Sequence, residues 1–233
     1  MLKIISEIGI NHNGNFNWIN ELVRQSSVGG ADYVKIQLYT SKLVWGDDSR
    51  KKFEFTFDQV KRIKEFCDFH QIRFLATVND YEKLEWCEKL NLMEYKISSF
   101  ILSKDLEFVK QVVDTGKTVY ISLGMWKEDY MPFEKENIKY LYCISKYPTY
   151  WDEMKDFPEI FDGKPFYGYS DHTHGLGACL LAISRGAQII EKHFTLNKAA
   201  KGNDHIGSMD LIELKILNSS GRELSNSRRK IIG

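Results

Sequence analysis

Two short motifs near the C-terminal end of this 233-residue chain carry histidines suited to metal chemistry. His172 lies in the run 168–173, and His193 lies in the run 191–195, 21 positions later. Each follows an apolar, β-rich stretch, and the separation is long enough for one helix to connect two parallel strands. Neighbouring strands lie about 4.8 Å apart, so we expect both imidazoles to reach one metal ion. A hydrogen-bonded structural histidine is the alternative for His172 taken alone.

Two lysines give a second chemical signal, because Lys35 and Lys96 each fall late in an apolar run. A buried ammonium group loses its hydration and therefore needs an anion beside it. One interpretation is an internal ion pair for each lysine. The other is a cradle for an anionic substrate, to which nearby hydroxyl groups would also donate hydrogen bonds. The candidate hydroxyl residues are Thr77, Ser99, Ser122 and Ser170.

Eight apolar β-type runs alternate with amphipathic, helix-like stretches along most of the chain. The predicted strands are 2–9, 33–38, 73–78, 94–99, 118–124, 138–145, 165–171 and 189–195. The predicted helices are 16–28, 57–70, 80–90, 104–114, 176–186 and 210–227. This alternation is typical of an α/β protein with a parallel sheet, and eight strands are the number that closes a (β/α)8 TIM barrel. A doubly wound open sheet is the alternative.

Polar residues end every predicted strand, where a barrel of this class builds its active site. They are Glu7, Lys35 with Gln37, Thr77, Lys96 with Ser99, Ser122, Ser145 with Tyr147, Ser170 with His172, and Glu191 with His193. Their convergence on one mouth predicts a ligand site. Glu7 and Asp204 are candidate acid/base groups; an ordinary solvated loop acid is the alternative for Asp204.

The bulk composition restricts the classes of function. Lys+Arg and Asp+Glu each number 32, so no global positive field would attract nucleic acid or an anionic membrane. Four cysteines lie far apart without a CxxC pair, which favours reduced thiols and a cytoplasmic location. The N-terminus is too short and polar for a signal peptide, and no apolar run reaches the roughly 18 residues of a membrane span. The length suits one domain.

Seven motifs in order resemble the N-acetylneuraminate (sialic acid) synthase family, which includes the pseudaminic and legionaminic acid synthases. Together they extend from residue 7 to about residue 208. They are EIGINHNG from Glu7, KIQ from Lys35, YKISS from Tyr95, SLGM from Ser122, YPT from Tyr147, GYSDHT from Gly168 and EKHFT from Glu191.

The resemblance implies a (β/α)8 barrel that condenses phosphoenolpyruvate with the open-chain aldehyde of a 2-acetamido sugar, such as N-acetylmannosamine, and releases phosphate. It implies that His172 and His193 bind a divalent metal, usually Mn²⁺, with Mg²⁺ or Co²⁺ possible. The implied phosphoenolpyruvate pocket is Lys35, Thr77, Lys96, Ser99, Ser122, Ser145 and Ser170. The implied sugar side is Gln37, Tyr147 and Asp204, and Glu7 is a carboxylate suited to water or proton handling. The catalytic candidates are therefore Glu7, Lys35, Lys96, His172, His193 and Asp204.

The chain departs from the family pattern at several positions. Ile101 stands where relatives commonly carry an acid, Ser145 where some carry asparagine, and Asn203 where a proline usually precedes the aspartate. The segment 39–56 is shorter than the usual sugar-contacting loop. We expect one TIM-barrel domain over 1–233 without the C-terminal antifreeze-like (SAF) domain. A homodimer, or a separately encoded antifreeze-like domain as partner, is the corresponding expectation.

Two other functions remain open from the sequence. A metal-dependent aldolase or isomerase on the same barrel would use the histidines but not phosphoenolpyruvate. A non-catalytic sugar- or phosphate-binding relative would keep the pocket without the chemistry. The presence of Glu7, Lys35, Lys96, His172 and His193 together favours an enzyme.

Overall fold

The computed structural model describes residues 1–202 and 204–231, and its strands close into a parallel barrel. Each strand pairs with the next in sequence, and β8 pairs with β1. The strands are β1 (Lys3–Gly9), β2 (Tyr33–Leu38), β3 (Arg73–Val78), β4 (Glu94–Ile97), β5 (Thr118–Ser122), β6 (Ile138–Cys143), β7 (Phe166–Asp171) and β8 (Ile189–His193). The (β/α)8 prediction is thus confirmed, and the open-sheet alternative is wrong.

Helices cover the outside of the barrel. They are α1 (Asn17–Val28), α2 (Ser41–Trp45), α3 (Phe57–Phe69), α4 (Tyr81–Lys89), α5 (Ser99–Lys104), α6 (Leu106–Asp114), α7 (Gly177–Ser184) and α8 (Leu211–Ile231), with 3-10 turns at Lys51–Phe53 and Trp151–Glu153. Local sequence explains where several begin. Thr56 and Gln59 form a capping box at α3, and the Asp80 side chain accepts from the Lys83 N–H at α4.

Some predicted boundaries are wrong. Strand β4 ends at Ile97 because Ser98 caps helix α5, which the sequence analysis did not predict, and Ser99 therefore begins a helix. Strand β6 ends at Cys143, so Ser145 and Tyr147 lie in the loop that follows. The segment 39–56 holds α2 and a 3-10 turn. The expectation about Asn203 concerns a residue outside the described part of the chain.

The strands separate two apolar regions because successive side chains point to opposite faces. The larger core lies between the strands and the helices. For example, Ile4, Ile8, Leu22 and Val23 are completely buried in it. A smaller cluster fills the barrel itself; it contains Ile5, Tyr33, Leu75, Tyr120, Leu141 and Ile189.

Polar residues lie at both ends of this inner cluster. At the N-terminal end of the strands, the Lys3 ammonium and the Tyr120 hydroxyl both donate to Glu94 Oε1, at 3.3 and 2.8 Å. The carboxyl end carries the cavity described below. None of the helices in the described part of the chain has the length and hydropathy needed to cross a bilayer.

Candidate active site

One cavity of about 310 Å³ opens at the carboxyl ends of the strands, and every residue that the sequence assigns to the site lines it. Those residues are Glu7, Lys35, Gln37, Thr77, Lys96, Ser99, Ser122, Ser145, Tyr147, Ser170, His172, His193 and Asp204. Strand periodicity produces the convergence. In β2, Tyr33 faces the inner cluster, so Lys35 and Gln37, two and four positions later, face the cavity.

Two lysines and two glutamates form a buried charged cluster in the cavity. Lys35 Nζ lies 2.8 Å from Glu7 Oε2 and 3.6 Å from Glu191 Oε1, while Lys96 Nζ lies 3.7 Å from the same Glu191 oxygen. All four side chains are at most 7% exposed. The internal ion pairs are therefore present, and they lie within the cavity where the anion cradle was expected.

Burial and these partners set the protonation of the cluster. Burial alone would lower the pKa of Lys35, but Glu191 and Glu7 raise it above its usual range. For Lys96 the effect of burial prevails, and its pKa is lowered. Burial would raise the pKa of Glu191, yet Lys35, Lys96 and the Ser170 hydrogen bond hold it well below its usual range. The cluster thus contains ionised Glu191 beside at least one firmly protonated lysine.

Hydroxyl groups beside the two lysines provide further hydrogen-bond donors on the same surface. Lys35 Nζ donates to Thr77 Oγ1 and Lys96 Nζ donates to Ser122 Oγ, each at 2.8 Å. Because each of these hydroxyl oxygens accepts from an ammonium, its own hydrogen is free to point into the cavity. Ser99 and Ser145 bond to each other at 2.6 Å. The floor of the cavity is therefore built to donate hydrogen bonds to an anion.

The two histidines lie beside this donor surface, with ring centroids 5.6 Å apart. His172 Nδ1 lies 2.8 Å from the Ile144 carbonyl oxygen, which can only accept, so Nδ1 carries the hydrogen and Nε2 keeps its lone pair. Burial, together with His193, lowers the pKa of His172 to about 4. The imidazole is thus neutral near pH 7, as a metal ligand must be.

His193 has no comparable restraint on its buried Nδ1, which lacks a hydrogen-bond partner among the described residues. The nearest acid is Asp204, with Oδ2 3.7 Å from that nitrogen. Within residues 1–202 and 204–231, no group of three or more His, Cys, Asp or Glu side chains is arranged to hold a metal ion. The neutral imidazole of His172 and the unsatisfied nitrogen of His193 fit a divalent cation whose other positions are left to water or substrate.

The mouth contains aromatic and cationic residues that no sequence pattern indicated. Trp45, at the end of α2, stacks on Phe100 with ring centroids 6.0 Å apart and planes 4° apart. The Arg50 guanidinium lies 4.5 Å from the Trp45 ring centroid. Asn79, Met125 and Cys143 also line the cavity. Arg50 and Trp45 lie outside the strands, where no periodic pattern marks them.

Two of the departures from the family pattern have a structural counterpart. Ile101 is 2% exposed in the outer apolar core and does not line the cavity, so an acid there would be buried among hydrocarbons. Ser145 lines the cavity and bonds Ser99, so a hydroxyl occupies the place where some relatives offer an amide. Tyr147 packs against His172, with ring centroids 4.0 Å apart.

Comparisons with known proteins relate the chain to one family. A model of the NeuB family matches residues 22–232. An uncharacterized protein of Methanocaldococcus jannaschii is 35% identical over 91% of this chain and 67% of its own length. An N,N'-diacetyllegionaminic acid synthase of Campylobacter jejuni is 31% identical over 96% of this chain and 76% of its own length. The crystal structure of an N-acetylneuraminic acid synthetase from Leptospira borgpetersenii superposes with a TM-score of 0.85 at 27% identity, covering all of this chain and 85% of that one.

Proposed function

This chain belongs to the NeuB family, and from that membership we propose that it condenses phosphoenolpyruvate with the open-chain aldehyde of a 2-acetamido sugar. Carbon 3 of phosphoenolpyruvate attacks the aldehyde carbon, water adds to the resulting cationic centre, and phosphate leaves. The observation that carries the proposal is the buried lysine–hydroxyl floor beside two histidines in one cavity.

Phosphoenolpyruvate binds to that floor in this proposal. Its phosphate and carboxylate oxygens accept from the Lys35 and Lys96 ammoniums and from the free hydroxyl hydrogens of Thr77 and Ser122. The Ser99–Ser145 pair leaves one hydroxyl hydrogen free as a further donor, whereas Ser170 donates its hydrogen to Glu191 at 3.0 Å and would act on the pocket by holding that carboxylate. These groups hold the anion below the mouth, so its carbon 3 faces the acceptor sugar.

Charge balance supports a metal at the histidine pair. Lys35 and Lys96 already face the carboxylates of Glu7 and Glu191, so the pocket has little positive charge left for an incoming anion. A divalent cation, most often Mn²⁺ in this family, would restore the balance. When bound to His172 and His193, it supplies Lewis-acid polarisation of the aldehyde oxygen.

The acceptor sugar lies at the upper rim of the cavity. Gln37, Tyr147 and Asp204 line the cavity and would contact the sugar, and the guanidinium of Arg50, which also lines the cavity, would add donors. Glu7 is held at both oxygens: Lys35 Nζ forms an ion pair with Oε2 at 2.8 Å, and Gln37 Nε2 donates a hydrogen bond to Oε1 at 2.8 Å. This oriented carboxylate accepts the proton of the attacking water.

The first test is phosphate release from phosphoenolpyruvate by the purified protein with Mn²⁺. Its acceptor panel contains N-acetylmannosamine and the 6-deoxy and diacetamido relatives of this sugar. Release that depends on both metal and one sugar supports the proposal and identifies the acceptor. An absence of release with every sugar contradicts it.

Lys35→Ala separates the proposal from a metal-dependent aldolase or isomerase. A synthase loses phosphoenolpyruvate binding, because the variant removes one of two ammoniums from the pocket floor. An aldolase or isomerase keeps most of its turnover. Lys64→Ala on the outer helix α3 is the matched control, since that lysine lies away from the cavity and is paired with Asp68 at the surface.

A further inference from the structure

A completely buried ion pair lies on the opposite face of the strands from the two histidines. Lys192 Nζ is 2.6 Å from Asp171 Oδ2, and both side chains are 0% exposed. Asp171 and Lys192 pair directly across β7 and β8. Because side chains alternate along a strand, this pair faces helix α7, whose Cys179 thiol lies 3.1 Å from Asp171 Oδ2. In the described part of the chain, neither charged residue lines the cavity.

The pair holds the backbone on both sides of His172. Lys192 Nζ donates to the Thr173 carbonyl oxygen at 2.6 Å, and Asp171 Oδ1 accepts from the Thr173 N–H at 2.8 Å. One ammonium thus binds the residue before His172 and the residue after it. Lys192 itself immediately precedes His193, so the same side chain connects the backbone positions of both histidines.

Stability alone is a weak reason for such a pair. Burying two charges costs desolvation, and apolar residues of similar volume are often equally stabilising. A buried pair whose hydrogen bonds are satisfied does, however, restrict geometry closely. Here the Tyr169 hydroxyl completes the set by donating to Asp171 Oδ1 at 2.8 Å. The benefit of the pair is therefore expected in the position of the adjoining residues.

We propose that Lys192 and Asp171 form a clamp that fixes the separation of the His172 and His193 imidazoles. This inference rests on the proposed function, in which those imidazoles bind one divalent cation. Lys192 and Asp171 are positioning residues: they act on the metal site through the backbone and do not contact the ligand. Supporting groups of this kind change metal affinity by about 10- to 100-fold in other metal sites.

The test compares Mn²⁺ affinity with folding stability in three variants. Lys192→Met removes the ammonium and keeps most of the side-chain length. The double variant Asp171→Asn/Lys192→Met also removes the carboxylate charge that would otherwise remain buried without a cation. Lys64→Met, at an exposed ion pair on α3, is the control. Mn²⁺ binding is measured from the loss of the free-ion electron paramagnetic resonance signal, and stability from the urea midpoint.

We expect Lys192→Met to lower the urea midpoint and to weaken Mn²⁺ binding about 10- to 100-fold. The double variant should recover much of the urea midpoint but none of the Mn²⁺ affinity, because methionine cannot donate to the Thr173 carbonyl oxygen and nothing then connects residue 173 to the position before His193. A recovered urea midpoint without recovered Mn²⁺ affinity distinguishes a positioning role from a merely structural one. If Lys192→Met does not fold, the Mn²⁺ affinity of the double variant alone tests the proposal.

Wild-type Mn²⁺ affinity in the folded double variant would overturn the clamp and leave the proposed metal site intact. A wild-type protein that fails to bind Mn²⁺ would instead contradict the metal centre of the proposed function, and the clamp would fall with it. The two failures are therefore distinguishable by the behaviour of the unaltered chain.

Discussion

The hydroxyl of Thr77 is the simplest single group on which the proposed anion pocket depends. It accepts from Lys35 at 2.8 Å and keeps its hydrogen for a ligand. Thr77→Val removes the hydroxyl and preserves the branched shape. A hydrogen bond to a charged group contributes about 1.5–3 kcal/mol, so we expect kcat/KM for phosphoenolpyruvate to fall about 10- to 100-fold. Phosphate release measures it.

Thr118→Val, at the N-terminal end of strand β5 and outside the cavity lining, is the matched control for Thr77→Val on β3. It removes a hydroxyl from the same residue type without altering the cavity, and its kcat/KM should equal that of wild type. Equal kinetics in the two variants would contradict the role given to the Thr77 hydroxyl.

His12 gives a prediction about stability and pH. It is 2% exposed, packs against Phe55 with ring centroids 4.7 Å apart, and accepts from the Gly14 N–H through Nδ1. Burial lowers its pKa to about 4. Because the unfolded histidine protonates near pH 6.5, its contribution is fully present above that pH and is lost as pH falls towards 4. The loss is at most about 3 kcal/mol.

Urea unfolding of wild type and His12→Asn between pH 7 and pH 4 measures this contribution. Asparagine does not titrate and keeps an acceptor near the Gly14 N–H. The wild-type free energy of unfolding should therefore fall more steeply over this window than that of the variant. Parallel pH profiles would show that His12 is protonated as readily in the folded protein as in the unfolded chain.

At the scale of elements, the close approach of β7 and β8 sets the position of both histidines. A Cβ on Gly168 would lie 2.0 Å from the Ile189 carbonyl oxygen, and backbone on a central strand cannot give way easily. Gly168→Ala should therefore separate the two strands. We expect a loss of about 3 kcal/mol or more in the free energy of unfolding, or failure to fold.

Gly207→Ala is the matched control for that strand contact. Its added Cβ would meet the nearest atom, the His172 carbonyl oxygen, at 3.4 Å, which is ordinary contact. Thermal unfolding of the two variants measures the difference. A Gly168→Ala protein as stable as Gly207→Ala would show that β7 and β8 have room to move apart.

The elements that escaped prediction are short helices within loops. Helix α2 has five residues and α5 has six, too few for a periodic apolar pattern to distinguish a helix from a turn. These two helices bring Trp45 and Phe100 together at the mouth. The long amphipathic helices were predicted because their buried residues repeat over several turns, as Ile19, Leu22, Val23 and Ser26 do in α1.

At the scale of the whole molecule, the barrel separates stability from chemistry along its axis. Tyr120 is completely buried at the end away from the cavity, where its hydroxyl accepts from Lys3 and donates to Glu94. Tyr120→Phe leaves both partners short of one bond. We expect the free energy of unfolding to fall by about 1–3 kcal/mol and kcat/KM to stay within about twofold.

Urea denaturation and phosphate release, measured on the same preparation, test this separation. Tyr130→Phe is the control, because that side chain is 63% exposed and should change neither quantity. A large loss of activity in Tyr120→Phe without a loss of stability would contradict the division of roles between the two ends.

The sequence by itself determined the barrel and the residues that face its mouth. Both follow from local periodicity: eight apolar runs alternate with helices, and two-residue alternation directs Lys35, Gln37 and Thr77 towards one end. The order of the seven motifs, most of which lie at strand ends, also indicated the family.

Only the tertiary structure decided which charges meet. Lys35 forms an ion pair with Glu7, 28 positions before it, and approaches Glu191 on a strand far along the chain, so the pairing depends on barrel closure between β1 and β8. The placement of Arg50 over Trp45 depends on the conformation of a loop. A loop has no periodic sequence pattern from which that conformation could be predicted. The Lys192–Asp171 pair could likewise not be predicted from the sequence, because the two residues meet only when β7 and β8 align in register. Distances between residues remote in sequence are set by packing of the whole chain, and local pattern carries no record of them.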